Sequence, residues 1–342
     1  MDRAVVGISG GVDSAVTAGM LKETGFDVTC IFLKMHDFSE NEKKDAQRIC
    51  DILNLPFVEI DLRAEFKSII VSDFIDNYSC GRTPNPCIIC NPLLKFKALN
   101  DYAYKHDISR IATGHYAGIG ETNGRYYIKK SDSVKDQSYM LYRLTQQQLK
   151  NIVFPLYGMD KEKIRDIAKK TGLPVYDKKD SQEICFIKGD YREYLKKAVS
   201  GISDNGDFVL IQTGQVLGRH TGITDYTIGQ RKGLGVSHKS PLYVAKIDVS
   251  NNIVYLSEED VTNIKEIHVS NAVFQKIAGI DKELHAQVKI RYSSKTADAV
   301  ITPEDNGLYK IEFNTPQRAA TPGQSAVFYD NDDVIGGGII VN

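Results

Sequence analysis

The sequence predicts an α/β protein in three parts: a mostly parallel sheet with helices on both faces in residues 1–200, a small central β-rich domain in residues 201–262 and a C-terminal β-barrel in residues 263–342. In the first part, short apolar runs typical of buried strands alternate with helical stretches, as they do in parallel sheets covered by helices. Beyond residue 201 the pattern changes to short alternating strands separated by Gly, Asn and Asp turns. That second pattern is typical of barrels.

The predicted elements of the first part come in a strand-then-helix order. Strands are predicted at residues 4–8, 28–33, 57–60 and 110–113, and helices at residues 14–23, 41–53 and 92–106. In the rest of the chain, alternating segments predict strands at residues 207–218, 241–248, 251–257, 285–292, 308–313 and 325–330. A chain of 342 residues is long enough for two or three domains.

Composition restricts the class of protein. The chain is 42% hydrophobic and 25% charged, and the apolar run at residues 4–8 is far too short for a signal-peptide core or a membrane span. We therefore expect a cytoplasmic protein with no membrane partner. The net charge of -1 gives no global positive field, so any nucleic acid must be bound by local basic patches.

Six cysteines in a reducing compartment do not describe a disulfide scaffold, so the close pair Cys87 and Cys90 is a candidate for metal binding or catalysis. A C-x-x-C pair can mean structural zinc, a redox dithiol, iron-sulfur ligation or a nucleophile. Structural zinc is disfavoured because the sequence has no second close pair to supply two more ligands. Cys30 and Cys50 lie in apolar patterns and are expected to be small buried hydrophobes, and Cys80 is unassigned.

The residues that follow the pair predict a reactive Cys90. Asn91 and Pro92 are typical of a helix cap and a first helical residue, which would place Cys90 just before a helix N-terminus with Lys95 near the first turn. Such a position lowers the pKa of a thiol and produces a nucleophile.

The segment GISGGVDS, residues 7–14, follows the first predicted strand and opens the first helix. Backbone amides at a helix start attract phosphate, Gly10 and Gly11 let the backbone approach an anion, and Ser9 and Ser14 can donate hydrogen bonds. Asp13 can hold a magnesium ion. No lysine follows the glycines and their spacing is not G-x-G-x-x-G, so neither usual nucleotide fingerprint fits. The alternative is a tight turn with Asp13 and Ser14 as caps.

SGGVDS resembles the pyrophosphate-binding loop of the N-type ATP pyrophosphatases, whose catalytic domain has an adenine nucleotide alpha-hydrolase-like fold. Six further motifs stand in the order found in the tRNA-specific 2-thiouridylases of the MnmA (TrmU) type: GRTPNPCIICNPLLKF (81–96), ATGHYA (112–117), KDQSYMLYRL (135–144), KKDSQEICFI (178–187), TIGQRKGLG (227–235) and RYSS (291–294). These motifs extend over most of the chain. The resemblance implies that residues 1–200 form the ATP pyrophosphatase catalytic domain.

The resemblance implies a tRNA-uridine 2-sulfurtransferase. ATP would adenylate the wobble uridine at C2, and sulfur from a persulfide on Cys185 would then give 2-thiouridine, AMP and pyrophosphate. Cys90 would be the nucleophile that releases the product, leaving a transient disulfide between Cys90 and Cys185. Expected cofactors and partners are ATP, Mg²⁺, tRNAs of the Lys, Glu and Gln type, and a cysteine desulfurase or sulfur-relay protein.

The resemblance also assigns contacts. The ATP-binding positions would be Gly7, Ile8, Ser9, Gly10, Gly11, Val12, Asp13, Ser14, Leu33 and Gly114. The tRNA-binding positions would be Asn85, Pro86, Cys87, Lys135, Asp136, Gln137, Arg291 and Tyr292. Arg231 and Lys232, in a glycine-rich loop, would suit RNA phosphates, and Arg291 beside Tyr292 would suit phosphate and stacking contacts.

Cys87 leaves the sulfur chemistry open. One branch of the family has aspartate at this position, so the thiol could be spare, a resolving thiol or a third ligand. With Cys90 and Cys185 it could hold three irons of a [4Fe-4S] cluster and leave the fourth iron free to carry sulfide. Two other function classes stay in comparison: an amide-forming ATP pyrophosphatase with structural cysteines, and a non-catalytic RNA-binding protein.

Overall fold

The computed structural model describes residues 2–178, 184–198, 205–259 and 263–341. Its strands are β1 (Arg3–Gly7), β2 (Asp27–Lys34), β3 (Phe57–Asp61), β4 (Arg110–Ala112), β5 (Ala117–Thr122), β6 (Arg125–Lys130), β7 (Ile152–Val153), β8 (Gly206–Leu210), β9 (Val216–His220), β10 (Tyr243–Asp248), β11 (Ile253–Ser257), β12 (Asn263–Phe274), β13 (Leu284–Lys289), β14 (Ala297–Pro303), β15 (Tyr309–Arg318), β16 (Ser325–Asp330) and β17 (Asp333–Ile340). Its α-helices are α1 (Val12–Glu23), α2 (Glu40–Leu53), α3 (Arg63–Glu65), α4 (Ser72–Ser79), α5 (Pro86–Cys90), α6 (Phe96–Lys105), α7 (Gln146–Leu149), α8 (Lys161–Lys170) and α9 (Tyr191–Ala198). Phe66–Val71 and Asn91–Lys95 are π-helical turns, and Ser138–Met140, Ile223–Asp225 and Asp305–Gly307 are 3-10 turns.

Five parallel strands form the first sheet, in the order β3-β2-β1-β4-β7. The four strands predicted here are confirmed within one residue at each end, whereas β7 is missed because two residues make too short an apolar run. The strand order reverses at β1, with β2 on one side and β4 on the other. Ligands of such sheets bind beyond the carboxyl ends of the strands at the reversal, so the loops after β1 and β4 form the binding edge.

The helix that carries the C-x-x-C pair begins earlier than predicted. Residues 86–105 are continuously helical, through α5, a π-helical turn and α6, so the predicted start at residue 92 is wrong. Asn85 is the cap, because its Oδ1 accepts a hydrogen bond from the Cys87 amide at 3.2 Å, and Pro86 is the first helical residue. The Asn-Pro signal occurs twice in NPCIICNP. The first one is used, since a helix that starts there buries Ile88 to 1% exposure.

The central sheet has the strand order β10-β11-β8-β9, with β8 and β11 parallel and the other pairs antiparallel. The strands predicted at residues 241–248 and 251–257 are confirmed, whereas the segment 207–218 forms parts of two antiparallel strands, β8 and β9, and not one strand. The predicted domain boundary near residue 201 falls in residues 199–204, and the one at 262 falls in residues 260–262. Both stretches lie outside the described residues.

The predicted C-terminal barrel is confirmed. Strands β12, β15, β14, β13, β16 and β17 pair in that order, and β12 pairs with β17 to close the barrel. The hairpin β5–β6 extends this sheet through a pairing of Lys129 with Asp333, although it comes from the first part of the sequence. This hairpin is not among the elements predicted from the sequence. Its signal is Asn123-Gly124, two residues with φ of 49° and 73° between the two strands.

One apolar core joins the barrel to the first part of the chain. Its buried members include Ile88, Phe96, Tyr139, Val327 and Tyr329. Burying each such side chain contributes about 1.5–3 kcal/mol relative to leaving it exposed. The helix at residues 86–105 is therefore held against the barrel. In the part of the chain that the structure describes, every helix is too short or too polar to cross a membrane.

Candidate active site

The loop between β1 and α1 makes close polar contacts within itself. The Ser9 amide donates to Ser14 Oγ at 3.1 Å, and the Ser14 hydroxyl donates to the Gly11 carbonyl at 3.0 Å. Helix α1 has Gly11 as its N-cap and no side-chain cap, which differs from the alternative of a turn capped by Asp13 and Ser14. Gly10 has a φ of 73°, and a Cβ there would lie 2.4 Å from the carbonyl oxygen of Glu42. The loop can pack on α2 only because Gly10 has no side chain.

Gly114 follows β4 and touches the same loop. A Cβ at Gly114 would lie 2.8 Å from the carbonyl carbon of Asp13 and 2.8 Å from the Ser14 nitrogen. Leu33, near the end of β2, is partly buried and packs on the apolar cluster that includes Val5. The structure therefore brings the predicted ATP-binding positions of three strands to one edge of the sheet.

Asp13 is already engaged by two donors. The Lys161 ammonium donates to its carboxylate oxygens at 2.9 Å and 2.8 Å, and the Tyr116 hydroxyl donates to Oδ1 at 2.6 Å. Magnesium at Asp13 would need an oxygen that these donors hold. Within residues 2–178, 184–198, 205–259 and 263–341, no group of three or more His, Cys, Asp or Glu side chains is arranged to hold a metal ion. The magnesium site predicted at Asp13 stays a prediction.

Two lysines that are not predicted from the sequence contact this loop. Lys161 is 148 residues from Asp13 along the chain. Lys178 donates to the Gly10 carbonyl at 3.1 Å and to Asp45 Oδ2 at 2.6 Å. Such distant pairings leave no local signal, since only the fold brings these residues together.

The predicted cysteines lie at the start of the 86–105 helix and beside it. Cys87 is the second helical residue and is exposed, whereas Cys90 is 6% exposed and its thiol lies 3.9 Å from the Met35 thioether. Cys185 is exposed, and the preceding residues 179–183 of its motif lie outside the described residues. Cys90 and Cys185 are free thiols in this state, so the transient disulfide stays a prediction.

The predicted low pKa of Cys90 is wrong for this state. Burial raises the pKa of the Cys90 thiol to about 12, against the opposing effect of the Lys95 charge. The reason is that Cys90 lies a full turn inside the helix, among apolar side chains, and not at its N-terminus. Cys185 is exposed as a whole residue, but its thiol is shielded from solvent; this shielding raises its pKa, and Cys87 adds to that rise. A protonated thiol is a poor nucleophile.

Lys95 interacts electrostatically with the thiols and with His115, which adjoins the edge of the first sheet where the 7–14 loop lies. Burial lowers the pKa of Lys95, but the negative charge that Cys90, Cys87 and Cys185 carry as thiolates more than offsets this, so the pKa is raised overall. His115 follows Gly114 directly. Burial lowers the pKa of His115 to about 3, and the Lys95 charge lowers it too, so this imidazole is neutral at physiological pH.

The remaining cysteines have simpler surroundings. Cys30 and Cys50 are completely buried in the core of the first sheet, as the apolar pattern predicts, and Cys80 is exposed. For the iron-sulfur alternative, the charges of Cys87 and Cys185 raise the pKa of Cys90, and that of Cys87 raises the pKa of Cys185. Over the described ranges, they are not arranged as a metal-binding group.

The barrel fixes the segment that leads into the C-x-x-C helix. The Thr83 amide donates to the Pro322 carbonyl at 2.9 Å, and Gln324 donates to the Thr83 carbonyl at 2.7 Å. Among the tRNA-binding positions implied for this segment, Asn85 is the helix cap and Pro86, the residue after it, is buried. Cys87 alone of these three is exposed at the helix tip.

The loop at Lys135, Asp136 and Gln137 precedes a 3-10 turn. Asp136 accepts hydrogen bonds from two nearby backbone amides, including that of Ser138 at 3.1 Å. Gln137 accepts from the Tyr116 amide at 3.1 Å through its side chain and donates to the Tyr116 carbonyl at 2.9 Å through its backbone. Two of the three side chains therefore shape the loop itself.

Arg291 and Tyr292 adjoin that loop. The Arg291 guanidinium donates to the Thr321 hydroxyl, which ties it to the barrel turn. Tyr292 is 38% exposed, and the Lys289 ammonium lies 5.6 Å from the centre of its ring. Burial raises the pKa of Tyr292. The negative charge of Asp136 raises this pKa further, and the positive charge of Lys135 lowers it. Tyr292 is thus exposed and near enough to the 135–137 loop for the charges of that loop to act on it.

Known proteins match the chain over its full length. Family models described as tRNA methyl transferase HUP domain, tRNA methyl transferase PRC-barrel domain and aminomethyltransferase beta-barrel domain match residues 2–189, 192–258 and 264–340. The tRNA-specific 2-thiouridylase MnmA 1 of Caldanaerobacter subterraneus subsp. tengcongensis is 45% identical over 356 residues, covering 99% of this chain and 98% of the relative. The tRNA-specific 2-thiouridylase MnmA 1 of Clostridium tetani is 45% identical over 349 residues, covering 99% and 96%.

Similarity to solved structures is much lower. A 4-thiouridine synthetase in complex with RNA and bound ATP matches with a TM-score of 0.37 and 19% identity, over 54% of this chain and 44% of that one. A likeness at that level carries no argument about function. Identity to full-length relatives at 45% over 99% of the chain does establish the family. The chain belongs to the family of the MnmA-type tRNA-specific 2-thiouridylases.

Proposed function

We propose that the protein is a tRNA-uridine 2-sulfurtransferase, which adenylates the wobble uridine at C2 with ATP and then replaces the oxygen with persulfide sulfur. The observation that carries this proposal is the position of Cys87 and Cys90 at the start of one helix, with Cys90 against Met35 just beyond β2 and near enough to Lys95 and Cys185 for their charges to act on its pKa. The thiols thus lie toward the edge of the sheet that carries the 7–14 loop. Structural cysteines in an amide-forming enzyme would not need to lie where the charge of a lysine acts on their thiols.

The first step belongs to the nucleotide edge. The C2 oxygen of the uracil attacks the α-phosphorus of ATP, the bond from that phosphorus to the bridging oxygen breaks, and pyrophosphate leaves. The first-turn amides of α1 and the hydroxyls of Ser9 and Ser14 are the donors suited to that leaving group. Gly114 supports the step by letting the β4 loop close on the phosphate loop.

The second step belongs to the thiols. The terminal sulfur of a Cys185 persulfide attacks C2, and AMP leaves with the electron pair of the C–O bond. The Cys90 thiolate then attacks the inner sulfur, and the electrons of the broken S–S bond stay on the sulfur of the new thiocarbonyl. A Cys90–Cys185 disulfide results, and a dithiol reductant must return it to two thiols.

Cys90 must lose its proton before it attacks. Its pKa of about 12 keeps it protonated in the free protein. The Lys95 charge acts to lower that pKa, and tRNA binding must supply the rest by moving Cys90 into a more polar environment.

The proposal includes the partners that the resemblance implies. These are tRNAs of the Lys, Glu and Gln type, a cysteine desulfurase or sulfur-relay protein, and a cytoplasmic location. It also includes the domain limits 1–200, 201–262 and 263–342. ATP use is supported by the match to the HUP domain model and by the intact SGGVDS loop. No step here is assigned to Mg²⁺ or to a [4Fe-4S] cluster.

The test is mass spectrometry of nucleosides from unmodified tRNA. The tRNA is incubated with the protein, ATP, magnesium, and a cysteine desulfurase with cysteine. We expect 2-thiouridine at the wobble position only when ATP and the desulfurase are both present, with one AMP released per modified base. AMP formation without 2-thiouridine, under conditions in which Cys185 carries a persulfide, would contradict the proposed activity.

A further inference from the structure

The phosphate loop has no lysine of its own, and the fold brings one from elsewhere. Lys161, the first residue of α8, donates to both oxygens of Asp13, and their side chains are only 14% and 30% exposed. Lys178 reaches the loop from a second direction and donates to the Gly10 carbonyl at 3.1 Å. Two ammonium groups therefore border the loop that binds phosphate in the proposed function.

Helix α8 holds these cations in place. Ile164 and Ala168 are fully buried in the core beneath the first sheet, which fixes the helix against α1. Arg165 lies one turn after Lys161 and donates to the Lys178 carbonyl at 3.2 Å. Its Nε is buried and has no hydrogen-bond partner among the described residues. The side of α8 that faces the loop is thus cationic.

A carboxylate next to a phosphate site repels the ligand unless a cation accompanies it. Asp13 is such a carboxylate, and the cation on its two oxygens is Lys161. An ammonium can donate in several directions, so Lys161 can hold Asp13 and a phosphate oxygen at the same time.

We propose that Lys161 is the phosphate-binding lysine of the ATP site, that Asp13 is the positioning residue that aims it, and that Lys178 completes the cationic border. This inference rests on the proposed function only in taking the 7–14 loop as the ATP site. It gives Asp13 a different role from the magnesium ligand that the sequence predicts.

The first test measures binding to the full chain without tRNA, by equilibrium dialysis with ATP, inorganic pyrophosphate and adenosine. Lys161→Met should weaken the binding of ATP and of pyrophosphate by about tenfold to a hundredfold, which corresponds to the loss of one charged hydrogen bond. The affinity for adenosine should be unchanged. Lys161→Arg should recover part of the loss, since it keeps the charge. The matched control is Lys163→Met, an exposed lysine of the same helix, which should bind all three like the parent protein.

The outcomes separate the two proposals. If Lys161→Met binds ATP as tightly as the parent protein, the inference about Lys161 is overturned and the proposed function stands. If Lys161→Met loses adenosine in parallel with ATP, Lys161 serves folding and the inference is also overturned. If the parent protein itself binds no ATP, the proposed function fails.

A double-mutant cycle tests the role given to Asp13. Because Asp13 acts through Lys161, Asp13→Asn should change pyrophosphate affinity in the parent background but not in the Lys161→Met background, both with magnesium and with EDTA. If the effect of Asp13→Asn persists beside Lys161→Met and disappears in EDTA, Asp13 is a metal ligand and the inference is overturned.

Discussion

At the nucleotide end of the site, the loop hydroxyls, Gly114 and the Asp13–Lys161 pair are already in close contact, whereas at the thiol end Cys90 is buried against Met35 with its pKa raised to about 12. The two ends have different tasks. A leaving pyrophosphate can be met by fixed backbone and short side chains, while sulfur must pass from a donor to Cys185 and then to the base. The comparison indicates that the residues for adenylation are already in position in the free protein. It also indicates that sulfur transfer requires a change at the thiols that tRNA binding brings about.

The largest expected effect is a complete loss of sulfur transfer with adenylation retained. Cys185→Ser should abolish 2-thiouridine formation and leave ATP-dependent adenylation of tRNA intact, because sulfur delivery follows activation. Nucleoside mass spectrometry and pyrophosphate release measure the two steps in one reaction. Cys80→Ser is the matched control, since Cys80 is also an exposed thiol. A normal yield of 2-thiouridine from Cys185→Ser would remove Cys185 from the mechanism.

A second pair of variants distinguishes the role of Cys90 from that of Cys87. Cys90→Ala should lose thiolation, whereas Cys87→Ala should keep substantial thiolation in air, because the persulfide route uses Cys90 and Cys185 only. The same assay is then repeated on protein prepared anaerobically with iron and sulfide, with visible absorption recorded. If activity follows cluster content and Cys87→Ala is as inactive as Cys90→Ala, the persulfide route is wrong for this protein.

Gly114→Ala should impair adenylation and leave the reactivity of the thiols unchanged. The new Cβ would lie 2.8 Å from backbone atoms of Asp13 and Ser14, so the loop must shift. Adenylation should fall by about tenfold to a hundredfold, the cost of overpacking a rigid contact, while alkylation of Cys185 is unchanged. Gly279→Ala is the control, because a Cβ there meets nothing within 4 Å. Equal adenylation by both variants would show that the contact at Gly114 is not needed.

The smallest expected effect is a shift along the pH axis. Only the thiolate is alkylated, and burial places the pKa of Cys90 at about 12, so its alkylation rate in the free protein should rise about tenfold per pH unit from neutral pH upward. Lys95 lowers that pKa, so Lys95→Gln should move the profile to higher pH. Peptide mass spectrometry after iodoacetamide treatment gives the rates. A plateau near pH 8 would show that Cys90 is not held protonated.

Local signals in the sequence predict much of this architecture. The apolar runs locate four strands of the first sheet, the motif SGGVDS locates the phosphate loop, and period-two alternation locates the barrel. The start of the C-x-x-C helix is predicted wrongly because NPCIICNP offers two caps, and burial of Ile88 selects the first. That error also misplaces Cys90 at a helix N-terminus.

The rest depends on contacts between distant segments. Lys161 and Lys178 meet the loop only because α8 packs on α1 and Arg165 holds the Lys178 carbonyl. The β5–β6 hairpin joins the barrel sheet by pairing Lys129 with Asp333. No period or spacing near any of these residues indicates its partner.

Alkylation of Cys90 with and without tRNA tests most directly whether Cys90 becomes reactive only when tRNA is bound. The free protein, the protein with ATP and the protein with unmodified tRNA are treated with iodoacetamide at pH 8, and modification of Cys87, Cys90 and Cys185 is followed by mass spectrometry. We predict that Cys90 reacts slowest in the free protein, that ATP alone does not change its rate, and that tRNA raises it about tenfold or more by favouring the thiolate. A Cys90 that reacts in the free protein as fast as the exposed Cys87, with no increase on adding tRNA, would contradict this account.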